Sequence, residues 1–280
     1  MTNLFTAILM QAKAEKKAVA SINILNYNTA KAVIEAAERA NRNVILQPST
    51  GTVRRYGVEP MFRMLDGLRK DAKVKVAIHL DHCTDAELAK ACVNAGWDAV
   101  MMDFSALPME ENIQKTREMV EYAHARNVAV EGEVGVISGV EDDISHDEAR
   151  PATFEDTMDF IAKTGVDAIA PSIGTAHGVY KGVPVLNYEL VERLGRESTP
   201  IVVHGGTGLS VEAFHKLAQL GAAKINISTA LKNVYLEETR KLLADPKINP
   251  IKLDEGVERA AGALMERHMR VFAGETLELS

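Results

Sequence analysis

The sequence predicts a single (β/α)8 barrel, a TIM barrel over residues 1–280, with an extra helix before the first strand and another after the eighth. Three observations lead there. Eight strand-like runs are each followed by a helical segment, at intervals of about thirty residues. The runs are apolar throughout rather than alternating, as in parallel strands buried on both faces. Polar residues gather where the runs end, which is where such barrels carry their chemistry. An open doubly wound sheet is the competing architecture, but no glycine-rich dinucleotide fingerprint follows the first strand.

The spacing of Leu4, Phe5, Ile8, Leu9 and Ala12, with Thr2 as N-cap, predicts an amphipathic first helix. It lacks the basic n-region of a signal peptide. Ala18–Asn23 reads as the first strand and Asn28–Ala40 as a helix. Asn43–Gln47 is the second strand, opening into the turn-prone Pro48-Ser49-Thr50-Gly51, and Pro60–Lys70 is helical. The third strand starts at Val74 and delivers Asp81 and His82 side by side. Helix Asp85–Ala95 is closed by Gly96, and strand Asp98–Asp103 follows. Helix Glu110–Arg126 leads to strand Val128–Glu133. Val136–Pro151 is acidic and without clear period, too long for an idle connector, and is expected to be an active-site loop. Helix Phe154–Thr164 precedes strand Asp167–Pro171, which leads through Gly174 to His177. Helix Asn187–Glu197, strand Pro200–His204, helix Val211–Leu220 and strand Ala222–Ile227 complete the pattern. Apolar positions over Ile251–Phe272 predict a last helix, lying on the barrel or on a second subunit.

With 46% apolar and 25% charged residues, the composition argues against disorder and against membrane spanning. A net charge of -7 argues against nucleic acid or an anionic membrane as the main partner, because either needs a basic face. A phosphorylated ligand must then be held by local positive features. Cys83 and Cys92 are too few for a disulfide framework, and free thiols suit a reducing, cytoplasmic setting.

The strand ends carry Asn23, Ser49, Asp81, His82, Asp103, Glu133, His177, His204 and Asn226. Any one of these would ordinarily be a hydrogen-bonded core residue or a helix cap. Jointly, His82, His177 and His204, each after a buried strand and beside small residues, suit a three-nitrogen zinc site with an open fourth position. Asp81 would place a proton acceptor beside that ion. His79 lies inside its strand and reads as a core residue, while His124, His215 and His268 fall within helices. Gly205-Gly206-Thr207-Gly208 and Asn226-Ile227-Ser228-Thr229 follow adjacent strands and supply bare N–H groups and hydroxyls where barrels bind phosphate. Either loop alone is explained by a tight turn; both together favour an anion. Lys181 adds charge there or is an exposed loop lysine.

The segments Leu80-Asp81-His82-Cys83, Gly174–Tyr180, Val203–Gly208 and Lys224–Thr229 resemble those of the class II, zinc-dependent fructose-bisphosphate and tagatose-bisphosphate aldolases. So do Ile45–Ser49, Met102-Asp103, Glu131-Gly132-Glu133 and Gly139–Asp142. The resemblance implies a cytoplasmic homodimeric or homotetrameric lyase of carbohydrate metabolism, cleaving a ketose bisphosphate to dihydroxyacetone phosphate and an aldehyde phosphate. It implies His82, His177 and His204 as zinc ligands, and Asp81 as the base for the C4 hydroxyl. Asp103 and Glu133 match a second or displaced metal position, and Glu141 an acid/base toward the enediolate. Asn23, Ser49, Gly178, Gly205, Gly206, Thr207, Asn226 and Thr229 match substrate and phosphate contacts, and Lys181 and Ser228 are counted with them from their place in the same loops. Backbone carbonyls there would hold a monovalent cation, Na+ or K+.

Residue chemistry supports these roles independently. Carbon–carbon cleavage leaves negative charge that a metal held by neutral imidazoles can offset. A Schiff-base mechanism needs a lysine at a strand end, whereas Lys224 lies within its strand. Ser228 stands where fructose-type members carry Asp or Asn, so the substrate stays open between fructose, tagatose and another phosphorylated ketose or deoxy-ketogluconate phosphate. A zinc-dependent phosphosugar isomerase or epimerase and a non-catalytic barrel are the competing readings. The acidic loop bearing Glu141 argues against the first, and the complete ligand set against the second.

Overall fold

The computed structural model describes residues 3–141, 144–146, 149–178, 180 and 182–279. Thr2, the expected N-cap, and Lys181 lie outside these residues, and of Glu141 only the backbone is described.

The first half runs α1 (Leu4–Ala14), β1 (Val19–Ile22), α2 (Tyr27–Ala40), β2 (Val44–Leu46), α3 (Thr50–Tyr56), α4 (Val58–Lys70), β3 (Val76–Cys83), α5 (Ala86–Ala95), β4 (Ala99–Met102), α6 (Met109–His124) and β5 (Ala129–Val134). It continues with β6 (Ser138–Glu141), β7 (Ile144–His146), α7 (Phe154–Thr164), β8 (Ala168–Pro171), β9 (Ala176–His177), α8 (Tyr188–Gly195), β10 (Ile201–Val203), α9 (Val211–Gln219), β11 (Ala222–Ile227), α10 (Thr229–Leu242) and α11 (Pro250–Phe272). Among the described residues, eight strands pair in the order β1-β11-β10-β8-β5-β4-β3-β2 and close on themselves. The barrel expected from the unbroken apolar runs is therefore present. No described helix is long and apolar enough to cross a membrane.

Alternation along each strand divides the buried residues into two layers. Ile22, Leu46, Ile78, Leu80, Val100 and Ile225 face outward against the helices. The lower lumen is lined by Ala77, Ala99, Ala129, Ala168, Ala170 and Ala223, and Phe5, Ile8, Leu9 and Ala12 of α1 pack against them. Alanines leave the room that this helix fills, so α1 plugs the barrel floor. Burying each of its large side chains contributes about 1.5–3 kcal/mol. The helix starts at Asn3, whose Oδ1 accepts from the Thr6 N–H and whose Nδ2 donates to the carbonyls of Asp98 and Asn127. α11 packs on α2, α9 and α10, so the last helix lies on the barrel.

Two segments differ from expectation. Pro48–Gly51 is no simple turn, because Ser49 caps α3 through the Thr52 N–H. The stretch after Val136 forms an antiparallel hairpin of β6 and β7, and β6 also pairs with β9, placing Gly139 opposite His177. These strands gain their hydrogen bonds from distant partners, which no local periodicity reports. Gly139 has φ 108°, and a Cβ there would meet the His177 carbonyl oxygen at 2.2 Å.

Candidate active site

Strict alternation would send Asp81 and His82 to opposite faces of β3. Instead the register slips between Leu80 and Cys83, and His82 adopts φ 37°. Leu80 and Cys83 both stay in the outer layer, while Asp81 and His82 both turn inward. A non-glycine residue in the left-handed region is strained, and here the strain accompanies a paired acid and imidazole.

His177 arrives from β9, held by its pairing with β6, and His204 follows β10 directly. Tyr180 ties the two loops together: its hydroxyl accepts from the Ala176 N–H and donates to the Gly205 carbonyl at 2.6 Å. The ring centroids of His82, His177 and His204 lie 4.5, 4.9 and 6.0 Å apart. One nitrogen of each falls within 4.8 Å of the others, and all three residues are buried. Asp103 and Glu133 form a second such group with His82.

These donors fit a divalent metal ion. His82 Nε2 and His204 Nδ1 approach to 2.7 Å, and Asp103 accepts from His82 Nδ1 at 2.8 Å. Glu133 Oε2 is buried without a hydrogen bond, 3.9 Å from both His82 Nδ1 and His204 Nδ1. A buried carboxylate oxygen with no donor, beside converging imidazole nitrogens, is what a cation would satisfy.

Asp81 is held from the opposite side. Its Oδ2 accepts from Asn23 Nδ2 at 2.7 Å, Asn23 Oδ1 accepts from Gln47 Nε2 at 2.7 Å, and Gln47 Oε1 accepts from the Ser21 hydroxyl. Asn23 thus orients the carboxylate. Ser21 and Gln47 were not expected to contribute. The readable signal was a polar residue at an inward position of an otherwise apolar strand. Glu131 and Lys224, also buried in the lumen, carried the same signal.

His177, Gly178 and Gly205–Thr207 line one pocket with Asn226, Ser228 and Thr229. Both polar atoms of the Asn226 amide and the Ser228 hydroxyl are buried without hydrogen bonds. α10 begins there with Thr229 in the lining; its N-cap Ser228 makes no capping hydrogen bond, and the Thr207 hydroxyl accepts from the Ala230 N–H at 3.2 Å. Gly206 is required by close approach, since a Cβ would meet the Asn226 carbonyl at 2.7 Å. Asn23 and Ser49 are not in this lining, being engaged with Asp81 and α3.

Residues 3–276 match the family model described as fructose-bisphosphate aldolase class-II. The chain belongs to that family. It is 39% identical over 272 residues to the fructose-bisphosphate aldolase of Geobacillus stearothermophilus, covering 95% of this chain and 94% of that one. A Coccidioides immitis crystal structure assigned as a fructose-1,6-biphosphate aldolase superposes with a TM-score of 0.91 at 30% identity, covering 96% of both chains. The YdjI aldolase of Escherichia coli K12 superposes with a TM-score of 0.86 at 29% identity, covering 97% of both. This aldolase family is one of lyases, and its metal dependence agrees with the histidine cluster.

The electrostatics of the aldolase site follow from crowding of charge at depth. Burial would lower the His82 pKa, but Asp81, Asp103 and Glu133 outweigh it and hold it well above the usual histidine range. Doubly protonated His82 would donate to both Asp103 and His204, so that a proton bridges groups a metal ion could share. Burial and the neighbouring His82 push His204 down to about 4 despite Glu131. Burial and Asp103 drive Glu133 well above the carboxylate range. Against burial, Lys224 and His204 keep Glu131 below it.

Proposed function

We propose that this chain reversibly cleaves a ketose 1,6-bisphosphate of the fructose type to dihydroxyacetone phosphate and an aldehyde phosphate. In this reading zinc is held by His82, His177 and His204. The observation that carries it is the convergence of three imidazole nitrogens next to Asp81, with an anion-ready pocket alongside. Substrate type follows the names of the relatives rather than Ser228, and tagatose 1,6-bisphosphate is the comparison that tests it.

Zinc bound there supplies a Lewis acid for the negative charge that develops as C3–C4 breaks. Asp81, oriented by Asn23, takes the C4 hydroxyl proton. The Asn226 amide, the Ser228 hydroxyl and the backbone N–H groups of Gly205, Thr207 and Thr229 bind phosphate, with Gly178 in the same lining, while Gly206 spends its N–H on the Asn226 carbonyl and Lys181 adds positive charge. Backbone carbonyls of the same loops would hold a monovalent cation, Na+ or K+. Asp103 and Glu133 offer a second metal position beside His82. Glu141 returns a proton to the three-carbon fragment, carried by a hairpin that pairs with the His177 strand. The active form is a cytoplasmic homodimer or homotetramer.

A cleavage assay across fructose and tagatose 1,6-bisphosphates, with metal content measured on the same sample, tests this reading. Chelation should abolish cleavage and zinc restore it. Full turnover in metal-free protein, or a covalent adduct trapped by borohydride, would refute it.

A further inference from the structure

The lumen holds a second polar cluster beneath the histidines. Glu131 on β5 and Lys224 on β11 are fully buried, and two strands, β8 and β10, separate them around the barrel. Glu131 Oε2 accepts from Lys224 Nζ at 2.8 Å, and Oε1 accepts from His204 Nε2 at 2.9 Å. One carboxylate is thereby shared between an ammonium and an imidazole whose other nitrogen faces His82. Below them His79 stacks on Phe5 with ring centroids 5.0 Å apart, and Lys224 Nζ lies 5.9 Å from the same Phe5 ring. The α1 plug therefore closes this chamber from the barrel floor.

We propose that Lys224 and Glu131 form a positioning relay for the metal centre: Glu131 fixes the His204 ring with its proton on Nε2, leaving Nδ1 for the metal, and Lys224 anchors Glu131. The inference rests on the zinc reading of His82, His177 and His204. A histidine ligand whose second nitrogen donates to a carboxylate is locked in tautomer and orientation and made a better donor. Lys224 Nζ holds Glu131 Oε2 at 2.8 Å, so the carboxylate is fixed from one side and presents Oε1 to His204 Nε2 in a single orientation. The ammonium also offsets the carboxylate charge in the lumen. Lys224 is thus a positioning residue, lying below His204 and engaged with Glu131, away from the substrate pocket.

A purely structural staple would behave differently. Replacing a buried ion pair by apolar side chains is often neutral for folding. The double variant Lys224→Met/Glu131→Leu should therefore fold, with a cooperative melt in its metal-free form, yet lose zinc affinity. The experiment strips the protein with a chelator and titrates zinc against a chromophoric competitor, in wild type, Lys224→Met, Glu131→Gln, their combination, and the apolar double variant. Glu131→Gln and the apolar double should weaken zinc binding roughly 10–100-fold. Lys224→Met combined with Glu131→Gln should lose no more than Glu131→Gln alone, and cobalt-substituted samples should show an altered ligand-field spectrum. Wild-type zinc affinity in the folded double variant, or losses that multiply, would overturn the relay alone. A wild-type chain that takes up no zinc would overturn the metal reading and the relay with it.

Discussion

The Asn23 amide donates to Asp81 Oδ2 at 2.7 Å, and its own oxygen is fixed by Gln47. The carboxylate therefore reaches the metal-facing side of the lumen in one orientation, set by a hydrogen-bond chain that starts on β1. Asp81→Ala should lower kcat by about 10²–10⁴-fold with metal content unchanged, since it removes a base and no metal ligand. Asn23→Ala should lower kcat less, by about tenfold. Steady-state kinetics with metal analysis checks both, and an Asp81→Ala enzyme with normal turnover would remove Asp81 from the role.

Gly139→Ala should damage the metal centre from outside it. The added methyl would press on the His177 carbonyl at a φ of 108°, forcing β6 away from β9. A loss of about 1–3 kcal/mol in stability is expected, together with weaker metal binding. Gly182→Ala, where a Cβ meets nothing within 4 Å, is the control and should match wild type in both measurements.

Gly206→Ala should act on substrate binding. Its methyl would crowd the Asn226 carbonyl, next to the amide with no partners. KM for a bisphosphate substrate should rise by about tenfold or more, and inhibition by inorganic phosphate should weaken in parallel. Unchanged phosphate inhibition would argue that the anion binds elsewhere.

His268 makes stability depend on pH away from the active site. It is buried in α11 against Phe214 and Phe272, its Nδ1 hydrogen-bonds the Leu264 carbonyl, and burial lowers its pKa from 6.5 to about 4. The unfolded chain takes up a proton near pH 6.5 that the folded chain refuses until about pH 4. Stability is therefore lost as pH falls across that window, by up to about 3 kcal/mol. Urea melts should show a shallower pH slope between 6.5 and 4 in His268→Leu than in wild type, and equal slopes would contradict the assignment.

Neither cysteine should respond to alkylation in the folded chain. Cys83 and Cys92 are buried, and burial raises both thiol pKa values. Mass spectrometry after iodoacetamide treatment should find modification only under denaturing conditions.

Residue order alone determined the closed eight-stranded barrel and the placing of histidines and carboxylates at strand ends, because unbroken apolar runs and regular helix spacing are local properties of the chain. Tertiary structure decided what those residues face. The bulge that turns both Asp81 and His82 inward depends on the neighbouring strand, and the β6–β7 hairpin exists through hydrogen bonds that include the distant β9. Lys224 was readable as a lysine inside a buried strand, but its partner lies 93 positions earlier. A charge buried in a lumen is tolerable only beside its counter-charge, and which residue provides it is settled when the barrel closes.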